Sequence, residues 1–290
     1  MSYSPSPRPS FDGPALVPYE QVTRHLWGDA ESGEVADWIY VSSNEIHQLV
    51  FGVPVGGAFR HSDRHRTVYA ADELLYVLQS TMALANPETG EVHQVRAGEA
   101  AFFRRDTWHH CFNCGPEPLR VLELFSPPPA KGASGAYAQT KPNLHAPHYV
   151  QDQWLGRWPM DRAEAQAGWS IQVVREADLL WRLEGEQNMV LTALFASTEN
   201  LTAGRVELMS GQKSDLQCHG GDESVYVLDG TLNIRLPDHN GQRWFELRPR
   251  DGFYIPRGVS HQYYNVEAAP ARFMFGVAPQ YRSQSGEAAR

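Results

Sequence analysis

The sequence predicts an all-β protein made of two similar barrels in tandem. Short segments rich in β-branched and aromatic residues alternate with turn signals along the chain, as is typical of antiparallel barrels. The segment Asp72–Leu78 returns as Asp222–Leu228, an internal repeat with an offset of 150 residues. Later matches, such as His109 with His261, have an offset of 152. One hairpin of the second copy is therefore longer by two residues.

The first copy contains a series of short strand segments between Trp38 and Phe125. Turn residues separate the segments, and Gly90 supplies the positive φ that one such turn needs. The segment that contains Gly90, TMALANPETGEVHQV, is interpreted as two strands joined by that turn. In chain order the segments read WIYVSS, IHQLVFGVPV, DELLYVL, TMALANPETGEVHQV, AFFRRDTWHHCFN and LRVLELF.

The second copy begins near Met189 and has strand segments at a similar spacing. The dipeptide Asn240-Gly241 is a hairpin signal because both residues accept a positive φ. In chain order the segments read MVLTALFA, VELMS, ESVYVLDG, TLNIRL, WFELR, GFYIP, HQYYNV and RFMFGVA.

Proline-rich and alanine-rich segments suggest where the two copies are divided. Three consecutive prolines, Pro127 to Pro129, end regular structure after the first copy. The division predicted from these breaks is an N-terminal tail at 1–20, a first barrel at 21–128, a linker at 129–165, a second barrel at 166–282 and a C-terminal tail at 283–290.

Composition excludes several classes of partner. A formal net charge of −9 and a pI near 5.7 disfavour binding to a nucleic-acid backbone. No apolar run is long enough for a membrane span, and the first residues lack the apolar core of a signal peptide. Three cysteines do not suggest a disulfide framework, so a reducing cytoplasm is expected. The expected partner is a small-molecule substrate, and an exposed barrel edge would favour a homodimer.

Four polar residues of the second copy have the spacing of a metal site. Side chains alternate faces along a strand, so Gln217 and His219 point the same way. Glu223 follows after a glycine bend, and His261 follows after a proline turn. Two imidazoles, a carboxylate and an amide oxygen are suitable ligands for a divalent first-row metal. A polar core without an ion is the alternative, but burying these groups without full pairing costs on the order of several kcal/mol.

These residues lie in two motifs that resemble the double signature of the cupin superfamily. The signature is G-x5-H-x-H-x3-E-x6-G followed by G-x5-P-x-G-x2-H-x3-N, and its counterparts here are residues 211–230 and 250–265. The chain departs from it at Gln217, where a histidine is expected, and at Arg250, where a glycine is expected. The resemblance implies a bicupin with two tandem double-stranded β-helix barrels of jelly-roll type. It leaves the function open, because this fold hosts many chemistries.

The first copy retains only part of the motif. Glu73 and His109 match the ligand positions, but Thr67 and Tyr69 replace the paired ligands. Two ligands seldom hold a divalent ion tightly, so the first barrel is expected to have a degenerate site. The alternative is a second metal site in which His61 or His65 joins Glu73 and His109.

The first functional hypothesis is a non-haem Fe(II) dioxygenase acting on a small aromatic or dicarbonyl compound. It rests on the resemblance to cupin dioxygenases and on the 2-His-1-carboxylate set of His219, Glu223 and His261, which is linked to Fe(II) and oxygen. These three residues are the expected catalytic centre, and Gln217 is the expected fourth ligand to the single metal ion. Aromatic residues that would contact the substrate are Tyr254, Tyr263, Trp244 and Phe275.

Two other hypotheses remain open. A hydrolase, isomerase or lyase would use Mn(II), Ni(II) or Zn(II) as a Lewis acid. The bicupin ureidoglycine aminohydrolases resemble this chain in length, in their C-terminal metal site and in their four ligand types, though at permuted positions. The third hypothesis is a small-molecule-binding cupin without turnover.

Overall fold

The computed structural model describes residues 6–128 and 137–282, and this part of the chain is almost entirely β. The predicted all-β fold is thereby confirmed. The C-terminal tail predicted at 283–290 lies outside the described residues, as do 1–5 and the first part of the linker, 129–136. Strands of the first half are β1 (Ala15–Val17), β2 (Thr23–Asp29), β3 (Gly33–Ser42), β4 (His47–Val53), β5 (Ala58–Phe59), β6 (Asp72–Gln79), β7 (Thr81–Asn86), β8 (Glu91–Arg96), β9 (Ala100–Phe103), β10 (His110–Asn113) and β11 (Leu119–Ser126).

The second half repeats this series after a segment with short helices. An α-helix, α1, spans Arg162–Ala167, and short 3-10 turns occur at Tyr19–Gln21, Asp152–Trp154 and Glu176–Asp178. No helix of the described residues has the length and apolar character to cross a membrane. Strands of the second half are β12 (Ile171–Val174), β13 (Leu180–Glu184), β14 (Val190–Ser197), β15 (Thr202–Leu208), β16 (Asp222–Asp229), β17 (Leu232–Arg235), β18 (Trp244–Leu247), β19 (Gly252–Ile255), β20 (Gln262–Tyr264) and β21 (Ala271–Ala278).

Each half forms a barrel from one large and one small sheet. The first barrel has a seven-stranded sheet in the order β12-β9-β6-β11-β4-β3-β2 and a four-stranded sheet in the order β5-β10-β7-β8. The second has a seven-stranded sheet in the order β1-β19-β16-β21-β15-β14-β13 and a three-stranded sheet in the order β18-β17-β20. Pairing is antiparallel throughout these sheets.

The central strands bury both of their faces, which explains their continuous apolar sequences. In β6, Leu75 points into the first barrel, whereas Leu74 and Tyr76 belong to a core between the two halves. In β16, Val225 points into the second barrel and Tyr226 into the shared core. Alternate residues therefore fill different cores, and the two large sheets pack against each other.

The two halves also exchange strands. Strand β1, from the segment predicted as an N-terminal tail, pairs with β19 of the second barrel, with Ala15 opposite Tyr254. Strand β12, which comes from the start of the segment predicted as the second barrel and precedes that barrel's own strands, pairs with β9 of the first, with Ile171 opposite Phe103. Each large sheet thus receives an edge strand from the chain segment that precedes the other barrel.

Three turns show the backbone conformation of the motif glycines although they hold other residues. Ser80, Asp106 and Arg250 have φ values of 74°, 66° and 79°, and they are the non-glycine residues with positive φ among those described. The φ value of Ser80 is close to that of its counterpart Gly230, 72°. The φ value of Asp106 lies in the same left-handed region as that of its counterpart Gly258, 78°. The turns therefore follow the motif even where the residue that favours them is lost.

Candidate metal centre

Three side chains of the second barrel converge on one point. Nε2 of His261 lies 3.0 Å from Oε2 of Glu223, and Nε2 of His219 lies 3.5 Å from the same oxygen. Glu223 is the second residue of β16, and the two histidines lie in the loops that lead into β16 and β20. All three side chains are buried. The structure therefore brings together the three residues that the sequence predicted as the catalytic centre.

Glycines let the chain bend sharply enough to place these residues. A Cβ on Gly221 would lie 2.2 Å from the carbonyl oxygen of Ala278. Any residue other than glycine would therefore clash with this backbone and displace the loop between His219 and Glu223. Gly258 has φ +78° and its N–H donates to the carbonyl of His219 at 2.9 Å. This turn ties the loop of the first histidine to the loop that carries the second.

Backbone carbonyls fix the orientation of both rings. Nδ1 of His261 lies 3.1 Å from the carbonyl oxygen of Val259, and Nδ1 of His219 contacts the carbonyl of Tyr281. A carbonyl only accepts, so both Nδ1 atoms carry hydrogen and both Nε2 atoms present lone pairs to Glu223. Within the described residues, neither Nε2 of His261 nor Oε2 of Glu223 has a hydrogen-bond partner. With both rings neutral, three acceptors face one another, an arrangement that a bound cation stabilises.

The distances fit a metal ion. Ligands at right angles around an ion with bonds of about 2.1 Å lie about 3 Å apart, close to the separations found here. Burial raises the pKa of Glu223, but positive charge at the rings of His261 and His219, which a bound cation would supply in place of ring protons, outweighs burial. Together with a hydrogen bond from Tyr263, this charge leaves the pKa of Glu223 below its ordinary value. The carboxylate is therefore kept in the charged form that a metal ion needs.

Tyr263 orients the carboxylate from the other side. Its hydroxyl donates to Oε1 of Glu223 at 2.5 Å, which leaves Oε2 turned to the histidines. Burial and the charge of Glu223 raise the pKa of Tyr263 well above its ordinary value, so it remains a phenol. Of the four aromatic residues expected at the substrate, Tyr263 is thus in contact with the ligands themselves.

Gln217 lies beside the centre. Its backbone forms an isolated antiparallel bridge with His261, with N–H to carbonyl distances of 2.8 and 2.9 Å in the two directions. Residues directly opposite in an antiparallel pair share a face, so the Gln217 amide lies on the side of the His261 ring. It is half-buried, and no hydrogen bond of this amide occurs in the described part of the chain. Its role as a fourth ligand stays a prediction.

The other expected aromatic residues divide into one near the site and two away from it. The ring of Phe275 stacks on that of Tyr281 with 5.8 Å between ring centroids, and the ring of Tyr281 stacks on that of His219 with 4.8 Å between centroids. Tyr254 points from β19 into the core between the barrels and donates to Asp222, because its neighbours Phe253 and Ile255 take the inner face. Trp244 lies on the outer face of β18, 42% exposed. Neither of these two residues is brought to the metal centre.

A second cluster of possible ligands lies in the first barrel. Nε2 of His109 is 3.7 Å from Oε2 of Glu73, and Glu123 of β11 is the third member of the cluster. Burial, together with the other carboxyl groups, raises the pKa of both glutamates well above the ordinary value, while burial lowers the pKa of His109 to about 4. The cluster thus keeps the two motif residues and adds a carboxyl group that the motif does not contain.

The histidines considered as replacement ligands for this barrel lie elsewhere. His61 contacts Nε2 of His110 at 2.7 Å and the carbonyl of Leu144 at 2.8 Å. His65 lies 3.1 Å from Asp29. Both side chains contact residues outside the cluster, and neither joins Glu73 and His109.

Sequence reasoning missed Tyr281 and Glu123. Tyr281 comes after the last strand and touches His219 through its backbone carbonyl, which carries no residue-specific signal. Glu123 was detectable as the only acidic residue of the apolar segment LRVLELF, whose other charged residue is Arg120. A charge inside a strand that is buried on both faces indicates a functional or paired group.

Comparison with known proteins agrees with this architecture. The Cupin domain family matches residues 49–125 and 204–277, together half of the chain. Among curated protein sequences, none matches at a significant level.

Several solved structures share the whole two-barrel arrangement. A mutant of Bacillus subtilis oxalate decarboxylase has 14% identity and a TM-score of 0.61, covering 96% of this chain and 80% of its own. A glyoxylate-induced protein from Pseudomonas aeruginosa has 14% identity and a TM-score of 0.64, covering 96% and 95%. AerE from Microcystis aeruginosa has 10% identity and a TM-score of 0.59, covering 89% and 97%. At identities this low, the TM-scores show a common fold alone. The chain belongs to the cupin family, as a bicupin with one cupin domain in each half.

Proposed function

We propose that the second barrel holds one divalent metal ion through His219, Glu223 and His261, and that the protein is an enzyme acting on a small anionic compound. The observation that supports this most directly is the convergence of two ring nitrogens on Oε2 of Glu223, where this oxygen and Nε2 of His261 are buried without a hydrogen-bond partner in the described residues. Without an ion, this arrangement would place lone pairs against a negative charge in a dry site.

We favour a non-haem Fe(II) dioxygenase acting on a small aromatic or dicarbonyl compound. Two histidines and one carboxylate are the ligand set associated with Fe(II) oxygenases. An Fe(II) ion bound there would supply the redox chemistry with dioxygen and polarise a coordinated substrate oxygen. One carboxylate leaves a divalent ion with net positive charge, so the centre attracts an anion such as an enolate or a phenolate.

The protein side chains of this site have separate roles. Tyr263 holds the Glu223 carboxylate and stays protonated. The carbonyls of Val259 and Tyr281 keep the histidine lone pairs directed to the ion. The stack of Phe275, Tyr281 and His219 offers aromatic surface beside the ligands, which would exclude water and contact a flat substrate.

A non-redox metal-dependent reaction is the second candidate. Gln217 shares a face with His261, and a fourth oxygen donor would suit Mn(II), Ni(II) or Zn(II) acting as a Lewis acid in a hydrolase, isomerase or lyase. The similarity in fold to oxalate decarboxylase also makes a small carboxylic acid a reasonable substrate class to test. A cupin that binds such a molecule without turnover is the remaining outcome.

Metal analysis combined with oxygen uptake tests the proposal. The protein is reconstituted under anaerobic conditions with Fe(II), Mn(II), Ni(II) or Zn(II), and dioxygen consumption is followed with small enolates, catechols and dicarboxylates. Substrate-dependent uptake that requires Fe(II) supports the dioxygenase. Turnover that survives without oxygen, or with Mn(II), Ni(II) or Zn(II), supports the second candidate. Failure of wild-type protein to bind any of the ions would contradict both.

A further inference from the structure

The first barrel encloses a cavity whose chemistry differs from that of the metal centre. Its volume is about 90 Å³, far below the roughly 300–1,000 Å³ of pockets for drug-sized ligands. Residues from both sheets and from the N-terminal segment surround it. They include Asp37, Glu123, His109 and Thr67 among polar residues, and Trp27, Leu49, Phe51, Phe59 and Phe125 among apolar ones.

Acidic groups dominate the polar end of the cavity. Asp37 and Glu123 are each 7% exposed, and Glu73 of the adjoining cluster is 1% exposed. The two histidines at this end, His109 and His47, are neutral, because burial lowers their pKa to about 4 and about 3. Arg8 lies at the edge of the cavity, where it donates to Ser42 at 3.0 Å and to the carbonyl of Ser43 at 2.9 Å. The carboxyl groups therefore have no salt bridge to a lysine or arginine within the described residues.

Two acceptors at this end lack partners. Oε2 of Glu73 and Oγ1 of Thr67 have no hydrogen bond in the described residues, although both side chains are 1% exposed. Thr67 occupies the strand position that Gln217 has in the second barrel. Buried polar atoms without partners are rare in folded proteins and often mark the site of a ligand or water. Acidic residues alone would not define a site, but these orphan atoms give independent support.

Distances separate two kinds of cation. Neighbouring ligands of a small metal ion lie about 3 Å apart, as in the second barrel. Acceptors around an ammonium nitrogen, each at about 2.8 Å, lie about 4.5 Å apart. Nε2 of His109 and Oε2 of Glu73 are 3.7 Å apart, whereas the corresponding nitrogen-oxygen distances in the second barrel are 3.0 and 3.5 Å. The pair in the first barrel is thus somewhat wider, in the direction of the spacing around an ammonium group.

The apolar walls favour the same choice. Phe51, Phe59 and Phe125 are almost fully buried and border the cavity next to the carboxyl groups. A metal ion with open positions would have to place its water molecules against these rings. An alkyl or aryl group attached to an ammonium ion would instead gain contact with them, and the ring faces attract positive charge.

We propose that the first barrel binds a small organic ammonium ion, with its nitrogen between Glu73, Glu123 and Thr67 and its apolar body against the phenylalanines. This site is independent of the metal and of the reaction proposed for the second barrel. In the first barrel, the lost metal ligands are thus replaced by a different binding function. The ligand is a short primary amine, because the cavity is small.

Calorimetry with a matched pair of probes tests the proposal. n-Butylamine, charged at neutral pH, and n-butanol, its uncharged counterpart, are titrated into the full chain. We expect butylamine to bind at least tenfold more tightly than butanol. Glu123→Gln keeps the shape of the side chain and should weaken butylamine binding at least tenfold. The control Glu117→Gln, at an exposed position near the start of β11, should leave it unchanged.

Further variants distinguish the amine site from a metal site and from a loss of folding. An amine could also bind a metal ion, so binding must persist in His261→Ala, which removes a ligand of the second barrel. Circular dichroism and the unfolding temperature verify that Glu123→Gln is folded, and Thr67→Val provides a second variant that should weaken binding. Equal binding of butanol, no binding of methylamine, butylamine or benzylamine, or full binding in both Glu123→Gln and Thr67→Val would overturn the proposal. The proposal would also be overturned if no amine binds and the first barrel instead binds Mn²⁺ or Zn²⁺ in a way that Glu123→Gln abolishes. That result would identify a second metal site.

Discussion

The two barrels have one framework but different polar groups at its centre. Both keep the glutamate of the large sheet and the histidine that precedes the small-sheet strand, Glu223 and His261 in one barrel and Glu73 and His109 in the other. The remaining positions have changed. The other equivalent pairs are Gln217 with Thr67, His219 with Tyr69, Tyr263 with Cys111 and Phe275 with Glu123.

These exchanges act together on the conserved glutamate. In the second barrel, Tyr263 donates to Glu223 and two histidines face its free oxygen. In the first barrel, Cys111 is in the tyrosine position, and Glu123 adds a second carboxyl group instead of an aromatic ring. One barrel therefore holds a charged glutamate among metal donors, and the other holds a glutamate whose pKa burial raises. We infer that the inner strand residues, rather than the shared fold, set the different ligand chemistry proposed for each barrel.

Removing a conserved ligand from each barrel should give the largest contrast. We expect His261→Ala or Glu223→Ala to abolish metal retention and turnover, because two donors seldom hold a divalent ion. Glu73→Ala should leave both nearly intact. Metal content after dialysis, measured by mass spectrometry, checks this, with His148→Ala at an exposed position as the control. Loss of metal in Glu73→Ala alone would move the catalytic centre to the first barrel.

Restoring a ligand in the first barrel should convert its chemistry. Tyr69→His places an imidazole where the second barrel has His219, so the first barrel regains the histidine-glutamate-histidine set. We expect metal content to rise from about one to about two ions per chain when the protein is reconstituted with excess Zn(II). Tyr69→Phe is the matched control and should stay at one. An unchanged content in Tyr69→His would mean that Glu123 or the walls exclude the ion.

The hydrogen bond from Tyr263 should have an intermediate effect. Tyr263→Phe removes only the hydroxyl that orients Glu223, and loss of such a contact commonly weakens metal binding about 10- to 100-fold. Competition with a metal-binding dye measures the change. Tyr264→Phe, whose hydroxyl contacts Gln262 outside the centre, should change the affinity little. Equal effects of the two variants would refute a specific role for Tyr263.

The smallest effect is expected at Gln217. Its amide is neutral and half-buried, so Gln217→Ala should weaken metal binding less than about tenfold, below the effect of Tyr263→Phe. The same dye competition gives the comparison. A loss as large as that of His261→Ala would instead establish Gln217 as an essential ligand. Gln217→Glu should strengthen binding of the ion, because it adds a charge on the face of His261.

The sequence by itself determined the repeat and the all-β class, and it predicted the three residues that the structure brings together at the candidate metal centre. Each motif lies within a short segment, so strand alternation and the glycine bend place His219 near Glu223 locally. The prediction that His261 joins them rested on the resemblance of the two motifs to the cupin signature. The motif turns persisted even at Ser80, Asp106 and Arg250, where the expected glycine is absent. The conformation of these turns could therefore be predicted from the local sequence motif alone.

Only the tertiary structure decided which face of a strand points into which core. Strand alternation predicts that Tyr254 points to the opposite face from Phe253 and Ile255. It does not predict that the face of Tyr254 packs into the core between the two barrels. The exchange of β1 and β12, the approach of Glu123 to Glu73 and the contact of Tyr281 with His219 all join residues that are distant in sequence. Such contacts depend on how the sheets close and pack, because burial of apolar surface has no direction of its own.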